Sequence, residues 1–289
     1  MMPRILVTGS GGQLAAAIVD AFEGHASVST RSHRELDIAD VGAVRRQVSD
    51  LAPDVIINCA AYNQVDQAEA DPIAALNGNA FGVRALAQAA AAVGATLVHY
   101  GTDFVFDGTA TEPYTEEDHT NPQSVYAVSK LLGDWFALEA PRAFVLRVES
   151  LFGGRAAKSS IDKMMAAMLE GREVRAFSNR TVSPSYVVDV AAATRALLAG
   201  GEPGLYHCVC GGFATWYEVA REIARQLGRE ANIVPVPVED VRLPAARPQF
   251  AALSNAKLAR AGVAMPAWQE SVGAYIATRQ QKDLEKLEK

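Results

Sequence analysis

The chain is short of several features that would announce a partner or a compartment. Three cysteines, Cys59, Cys208 and Cys210, stand among 289 residues, too few and too odd in number for a disulfide framework. Cys208-Val-Cys210 lacks the spacing of a zinc site, and the five histidines, His99 and His207 among them, show no ligand pattern, so no metal is expected. Nowhere do roughly 18 apolar residues run together. Pro3 leads straight into RILVT without the basic and apolar regions of a secretory leader, a pattern that predicts a cytoplasmic protein. Basic runs are absent and the net charge is −6; this argues against a nucleic-acid surface and a membrane, and leaves room for a local cationic pocket. There is no internal repeat or low-complexity tract.

What is present reads as an ordinary globular chain, 49% apolar and 21% charged, long enough to bury a large core and to carry a cleft. Short apolar runs, RILVT (4–8), VIINC (55–59), TLVHY (96–100) and AFVLRV (143–148), recur between helical patterns at 12–22, 40–51, 72–93 and 123–139. Runs that are apolar at consecutive positions fit strands covered on both faces. Their alternation with helices predicts an α/β fold, a Rossmann-type doubly wound parallel sheet with right-handed crossovers. Beyond residue 150 the order loosens. Helices are expected near 160–170, 187–199 and 215–228, and a strand at GLYHCVC (204–210), with prolines at 235, 237, 244, 248 and 266 punctuating the rest. The expected division is a dinucleotide-binding domain of residues 1–150 with 186–212, a smaller irregular α/β substrate-binding lobe of 151–185 with 213–280, and a solvated C-terminal extension, 281–289.

Directly after the first strand comes TGSGGQLA (8–15). Gly9, Gly11 and Gly12 allow a tight turn and a close backbone approach to a pyrophosphate, and the helix that begins at Gln13 and Leu14 offers free N–H groups at its positive end. An NAD site expects a carboxylate at the end of the second strand. SVSTRSHRELD (27–37) has Thr30, Arg31, Ser32 and Arg34 there instead, which suits a 2′-phosphate and so NADPH, with NADH the alternative. Arg31 or Arg34 could equally be a solvated surface charge. Further on, NPQSVYAVSK (121–130) places Tyr126 and Lys130 four residues apart on one helical face. That spacing fits a working pair and two ordinary amphipathic side chains alike.

The glycine loop and Tyr126-x-x-x-Lys130, about 115 residues apart, resemble the extended short-chain dehydrogenase/reductase superfamily. NCAAYNQVDQAE (58–69), GTDFVFDG (101–108), LRVESLFG (146–153), RTVSPSYVVDVA (180–191) and RPQFAALSNAKL (247–258) resemble, within it, the dTDP-4-dehydrorhamnose reductase family. The resemblance implies hydride transfer from a nicotinamide to the C4 ketone of a nucleotide-linked 6-deoxyhexose, with Thr102, Tyr126 and Lys130 catalytic. Tyr126 would supply the proton, Lys130 would lower its pKa and bind the nicotinamide ribose, and Thr102 would orient the carbonyl. Asp37 and Ile38 would flank the adenine; Asn58, Cys59, Ala60 and Ala61 would line the cofactor, with Tyr62 and Asn79 nearby. Val65, Asp103, Phe104, Tyr126 and Arg247 would meet the sugar nucleotide, Arg147 and Arg180 being further cations for its pyrophosphate. The sequence leaves the oligomeric state open, a homodimer included.

Two departures from the family pattern stand out. The family's Arg-Thr-x-Trp-x-Tyr-Gly reads Arg147-Val148-Glu149-Ser150-Leu151-Phe152-Gly153, so the aromatic wall of the sugar pocket is missing and Glu149 brings a charge near an anionic ligand. Gly101 stands where serine is common. A sister nucleotide-sugar reductase or epimerase is therefore the alternative, and a non-catalytic, dinucleotide-binding regulatory subunit is a second.

Overall fold

The structure, a computed structural model, describes residues 2–287. Its first half alternates strand and helix: β1 (Arg4–Thr8), α1 (Gln13–Phe22), β2 (Ser27–Arg31), α2 (Val41–Leu51), β3 (Val55–Asn58), α3 (Val65–Ala70), α4 (Pro72–Leu76), α5 (Gly82–Val93), β4 (Thr96–Thr102), α6 (Val125–Leu138) and β5 (Ala143–Val148). Shorter pieces follow: β6 (Leu151–Phe152), α7 (Ser160–Leu169), β7 (Val174–Phe177), β8 (Thr181–Val182), β9 (Ser185–Tyr186), α8 (Val187–Gly200), β10 (Gly204–His207), β11 (Ala214–Thr215), α9 (Trp216–Gln226), β12 (Ile233–Val236), α10 (Ala256–Arg260) and α11 (Trp268–Leu287). Of the expected extension 281–289, residues up to Leu287 continue α11, and Glu288 and Lys289 lie outside the described residues.

Six parallel strands form the main sheet in the order β2-β1-β3-β4-β5-β10. The strands are apolar at consecutive positions because each residue serves a different face. Ile5, Val7, Ile57 and Val98 pack with Ile18 of α1 and Val190 of α8, whereas Leu6, Ile56 and Leu97 pack on the other side with Val44 of α2 and Leu86 of α5. The sheet is thus Rossmann-like and covered on both faces. From β1 the chain runs to β2 on one side and then crosses to β3 on the other. The connections diverge at the C-terminal ends of β1 and β3, which opens a crevice there.

Three differences from the sequence reading have local causes. First, β4 continues two residues past TLVHY because Gly101 and Thr102 still pair with Arg147 and Val148 of β5. The strand anticipated over 204–210 ends at His207; Cys208 keeps one bond to the Arg147 carbonyl, and Gly211 then pairs with Ala267 instead. The single helix expected over 72–93 is interrupted by a π turn, Asn77–Phe81. That wide turn aims Asn79 inward, where its side chain accepts from the Tyr62 amide (2.8 Å) and donates to the Tyr62 carbonyl and Ser129 Oγ (3.0 Å each).

After β5, three two-stranded pairings, β6 with β9, β8 with β11 and β7 with β12, replace the single sheet. One apolar cluster nonetheless runs from the α1 and α8 face into Met165, Trp216 and Tyr275. All three cysteines are free thiols. Among the described residues, no helix is long and apolar enough to cross a membrane.

Candidate active site

At the end of β1 the backbone needs a glycine. Gly9 has φ of 68°, and a Cβ built there would lie 2.5 Å from the Ala60 amide nitrogen at the end of β3. Gly12 N–H donates to the Gly9 carbonyl (2.9 Å), which closes the turn, and α1 starts at once without a side-chain cap. Its first N–H groups therefore face the crevice as anion donors. Gly9, Gly11 and Gly12 border a cavity of about 950 Å³ whose walls also include Cys59, Ala60, Ala61 and Tyr62, with Asp37 and Ile38 further out. A cradle with no room for side chains, set against a helix start, fits the pyrophosphate of a dinucleotide. Gln13 stays close by, its Oε1 buried without a partner, while Leu14 points into the core.

The end of β2 is sorted by hydrogen bonding. Arg31 is held away from the crevice: Nε donates to Gln47 Oε1 (2.7 Å) and Nη1 to the Thr30 carbonyl (2.8 Å). Arg34, exposed, stands in the cavity wall with Ser32. Arg34 therefore borders the cavity, while Arg31 is engaged by Gln47 and the Thr30 carbonyl.

Thr102, Tyr126 and Lys130 come together at the C-terminal edge of the sheet, at 5%, 8% and 3% exposure. Ser124 caps α6 by accepting from the Ala127 amide (3.2 Å), which sets Tyr126 in the first turn and Lys130 one turn on. Thr102 Oγ1 donates to Asp103 Oδ1 (2.9 Å) and accepts from the Phe104 amide (3.3 Å). Burial pushes the Tyr126 phenol well above its ordinary value, the Asp103 and Asp134 carboxylates push it further, and a hydrogen bond with Thr102 opposes them. Lys130 is lowered to about 8 by burial, against the pull of Asp134, and its Nζ donates to the Tyr100 carbonyl (2.5 Å). In this arrangement the charged groups that act on the phenol are carboxylates.

Behind Lys130 lies a polar cluster that sequence reasoning missed. Asp134 Oδ2 accepts from Arg147 Nε (2.9 Å), and its Oδ1 is 3.8 Å from His99 Nε2. Burial and the nearby Lys130 hold the His99 imidazole well below its ordinary pKa. Asn58 ties its Nδ1 (3.1 Å) and accepts from Thr8 Oγ1 (2.6 Å), so the chain of contacts reaches the residue before Gly9. A Cβ on Gly101 would sit 2.5 Å from Asp134 Oδ1 and 2.9 Å from Arg147 Cγ. The glycine at 101 therefore makes room for this pair. The available signal was the spacing of four between Lys130 and Asp134 on α6.

On the other side of the phenol, Phe104 meets Tyr126 edge to face at 5.5 Å, Val65 and Tyr62 pack beside them, and Arg180 lies 5.7 Å over the Phe104 ring. Asp103 is raised to about 6 by burial, against Arg180 and Thr102. Glu149 is raised well above its ordinary value by burial and by Asp103, against the Ser183 amide and Arg180. Of the three predicted cations only Arg180 joins this group. Arg147 is paired with Asp134, and Arg247 makes a bidentate pair with Asp66 of α3 (2.9 and 2.8 Å). Asn79 joins Tyr62 and Ser129 of α6 rather than the cavity.

Fold and crevice define the class, a Rossmann-type α/β chain whose glycine turn and buried Thr-Tyr-Lys set share one sheet edge. The chain belongs to the family described as the RmlD substrate binding domain, whose model matches residues 2–281. It is 36% identical to dTDP-4-dehydrorhamnose reductase of Mycobacterium tuberculosis, over 95% of this chain and 92% of that protein. It is 31% identical to the spore coat polysaccharide biosynthesis protein SpsK of Bacillus subtilis, over 96% and 98%. The solved dTDP-4-dehydrorhamnose reductase of Bacillus anthracis, in complex with NADP, superposes with a TM-score of 0.92 at 31% identity, covering 96% of this chain and all (100%) of that one.

Proposed function

We propose that the chain is an NADPH-dependent reductase of the 4-keto group of a nucleotide-activated 6-deoxyhexose, dTDP-4-dehydrorhamnose in the first instance, and serves dTDP-L-rhamnose biosynthesis in the cytoplasm. The observation that carries the reading is the meeting of Thr102, Tyr126 and Lys130 at the sheet edge beside the glycine cradle. Gly9, Gly11, Gly12, Gln13 and Leu14 would hold the pyrophosphate, Arg34 the 2′-phosphate, and Cys59 to Tyr62 the face of the crevice. When bound, NADPH supplies the hydride. Thr102 aligns the carbonyl and Tyr126 delivers its proton to the carbonyl oxygen as negative charge develops there. Lys130, charged at neutral pH, steadies the phenolate left behind. Val65, Phe104 and Asp103 would form the sugar side. The division of the chain at 150, 186 and 212, and a homodimeric assembly, belong to the same proposal.

A sister reductase with another keto sugar is the second reading, favoured by Glu149 and Ser150 in place of an aromatic wall. Purified chain, NADPH and enzymatically prepared dTDP-4-dehydrorhamnose form the test. Stoichiometric NADPH oxidation is expected; no oxidation with this sugar alongside turnover of another dTDP-linked keto sugar selects the second reading. No oxidation with any sugar nucleotide overturns both.

A further inference from the structure

A second cavity, of about 540 Å³, lies at the N-terminal edge of the main sheet and shares no lining residue with the dinucleotide crevice. Its floor comes from the starts of neighbouring strands, Ile5 of β1, Val55 of β3 and Thr96 of β4. Alternation fixes their direction: Thr96 shares a face with Val98, which packs under α1 and α8, while Leu97 between them faces the other way. Phe22, at the end of α1, forms one wall. The opposite wall is α8, where Ala192, Ala196 and Ala199 follow one another at helical spacing and are too small to fill the space.

The rim carries two guanidiniums. Arg142, directly before β5, and Arg195 of α8 border the cavity together with His25, and no carboxylate does. The side chains of these three make no hydrogen bond or ion pair among the described residues. Arg147 and Arg247, by contrast, are each held by a carboxylate. In a chain of net charge −6, two arginines that face a cavity without a counter-ion make a local positive pocket. Thr96 is only 9% exposed, and its hydroxyl has no hydrogen-bond partner among the described residues either. A hydroxyl so placed is costly unless something in the cavity meets it. An apolar floor with a few polar groups, in a volume of this size, is the build of a small-molecule site.

We propose that this cavity is a second binding site, for a small aromatic phosphate. The flat apolar body lies on Ile5, Val55 and Phe22, and the phosphate meets Arg142 and Arg195, whose planar forks match its oxygens. Thr96 offers its hydroxyl to a polar atom of the body. The site holds none of Thr102, Tyr126 and Lys130 and sits at the opposite ends of the strands, so it stands or falls independently of the nucleotide-sugar reading.

Isothermal titration calorimetry with naphthyl phosphate, which carries that chemistry without a nucleotide, tests the site. One-to-one binding is expected with a Kd of about 0.1–1 mM, in keeping with a ligand of about fifteen heavy atoms. Inorganic phosphate and the neutral naphthylmethanol should each bind at least about tenfold more weakly, since each lacks half of the match. The double variant Arg142→Gln with Arg195→Gln should raise the Kd for naphthyl phosphate by at least about tenfold. Ala196→Leu, which fills the cavity from the α8 side, should do the same while the circular dichroism spectrum and melting temperature stay close to wild type. Absence of binding to the wild type overturns the proposal. Inorganic phosphate bound as tightly as naphthyl phosphate would mean an adventitious ion only. Binding that both variants leave unchanged puts the anion elsewhere, the glycine cradle included, and equally overturns it. A chain that sediments as a dimer and becomes monomeric in Ala196→Leu would seat a second copy on this face, and the ligand site would fall.

Discussion

Two buried charged clusters flank Tyr126, and they are built in opposite ways. Behind α6, Asp134 and Arg147 meet at 2.9 Å, and the carboxylate oxygen left over faces His99 at 3.8 Å. On the sugar side, Asp103, Glu149 and Arg180 influence one another yet form no ion pair among the described residues. Both clusters keep buried atoms without a hydrogen-bond partner, Asp134 Oδ1 and Arg147 Nη1 in the first, Asp103 Oδ2 and Glu149 Oε1 in the second. Burial is alike in both; what separates them is the direct ion pair of Asp134 with Arg147 behind α6.

The largest effect should come from the phenol between them. Tyr126→Phe is expected to lower kcat by about a thousandfold or more, within the range of a lost general acid, with NADPH affinity measured by fluorescence titration left close to wild type. Full activity in the variant would remove the proposed acid. Breaking the ion pair behind α6 should be felt as stability. Arg147→Met leaves Asp134 buried and alone, and should cost about 3–5 kcal/mol in urea unfolding. Gly101→Ala, which crowds the same pair, should cost less, about 1–3 kcal/mol.

A pH profile sharpens the contrast further. Lys130 sits at about 8 and the Asp134 charge holds it up, so kcat/KM should fall above about pH 8, and Asp134→Asn should move that limb to lower pH. A limb that stays in place would separate Asp134 from Lys130. The smallest effect belongs to Asp66, whose carboxyl is held below the ordinary range by Arg247. A depressed folded pKa stabilises above the unfolded value, and the contribution is lost as the pH falls through the folded one. With the Asp66 side chain 42% exposed, Asp66→Asn should cost under about 1 kcal/mol at neutral pH and nothing in strong acid.

Much of the fold was legible in the sequence. Strands buried on both faces must be apolar at consecutive positions, so RILVT and AFVLRV announce themselves, and most expected helices match to within two residues. The glycine turn was legible too, because a positive φ and a close Ala60 backbone allow little else. The π turn at Asn77–Phe81 was hidden: an Ala-rich stretch has every local reason to remain one helix, and the cause is Asn79 reaching Tyr62 and Ser129. Arg31, Arg147 and Arg247 were each read as ligand-facing cations, and each is held by a partner remote in sequence, Gln47, Asp134 and Asp66.

What the sequence determined by itself was therefore the order of strands and helices, the position of the glycine cradle and the placing of Tyr126 and Lys130 on one helical face, because periodicity and backbone sterics act over a few residues. The tertiary structure alone decided which charges are paired and which are free. Asp103 and Glu149 come to influence one another, and Asp134 to pair with Arg147, only when folding brings distant segments together and removes their water, since desolvation and ion pairing depend on what lies within a few ångströms in space.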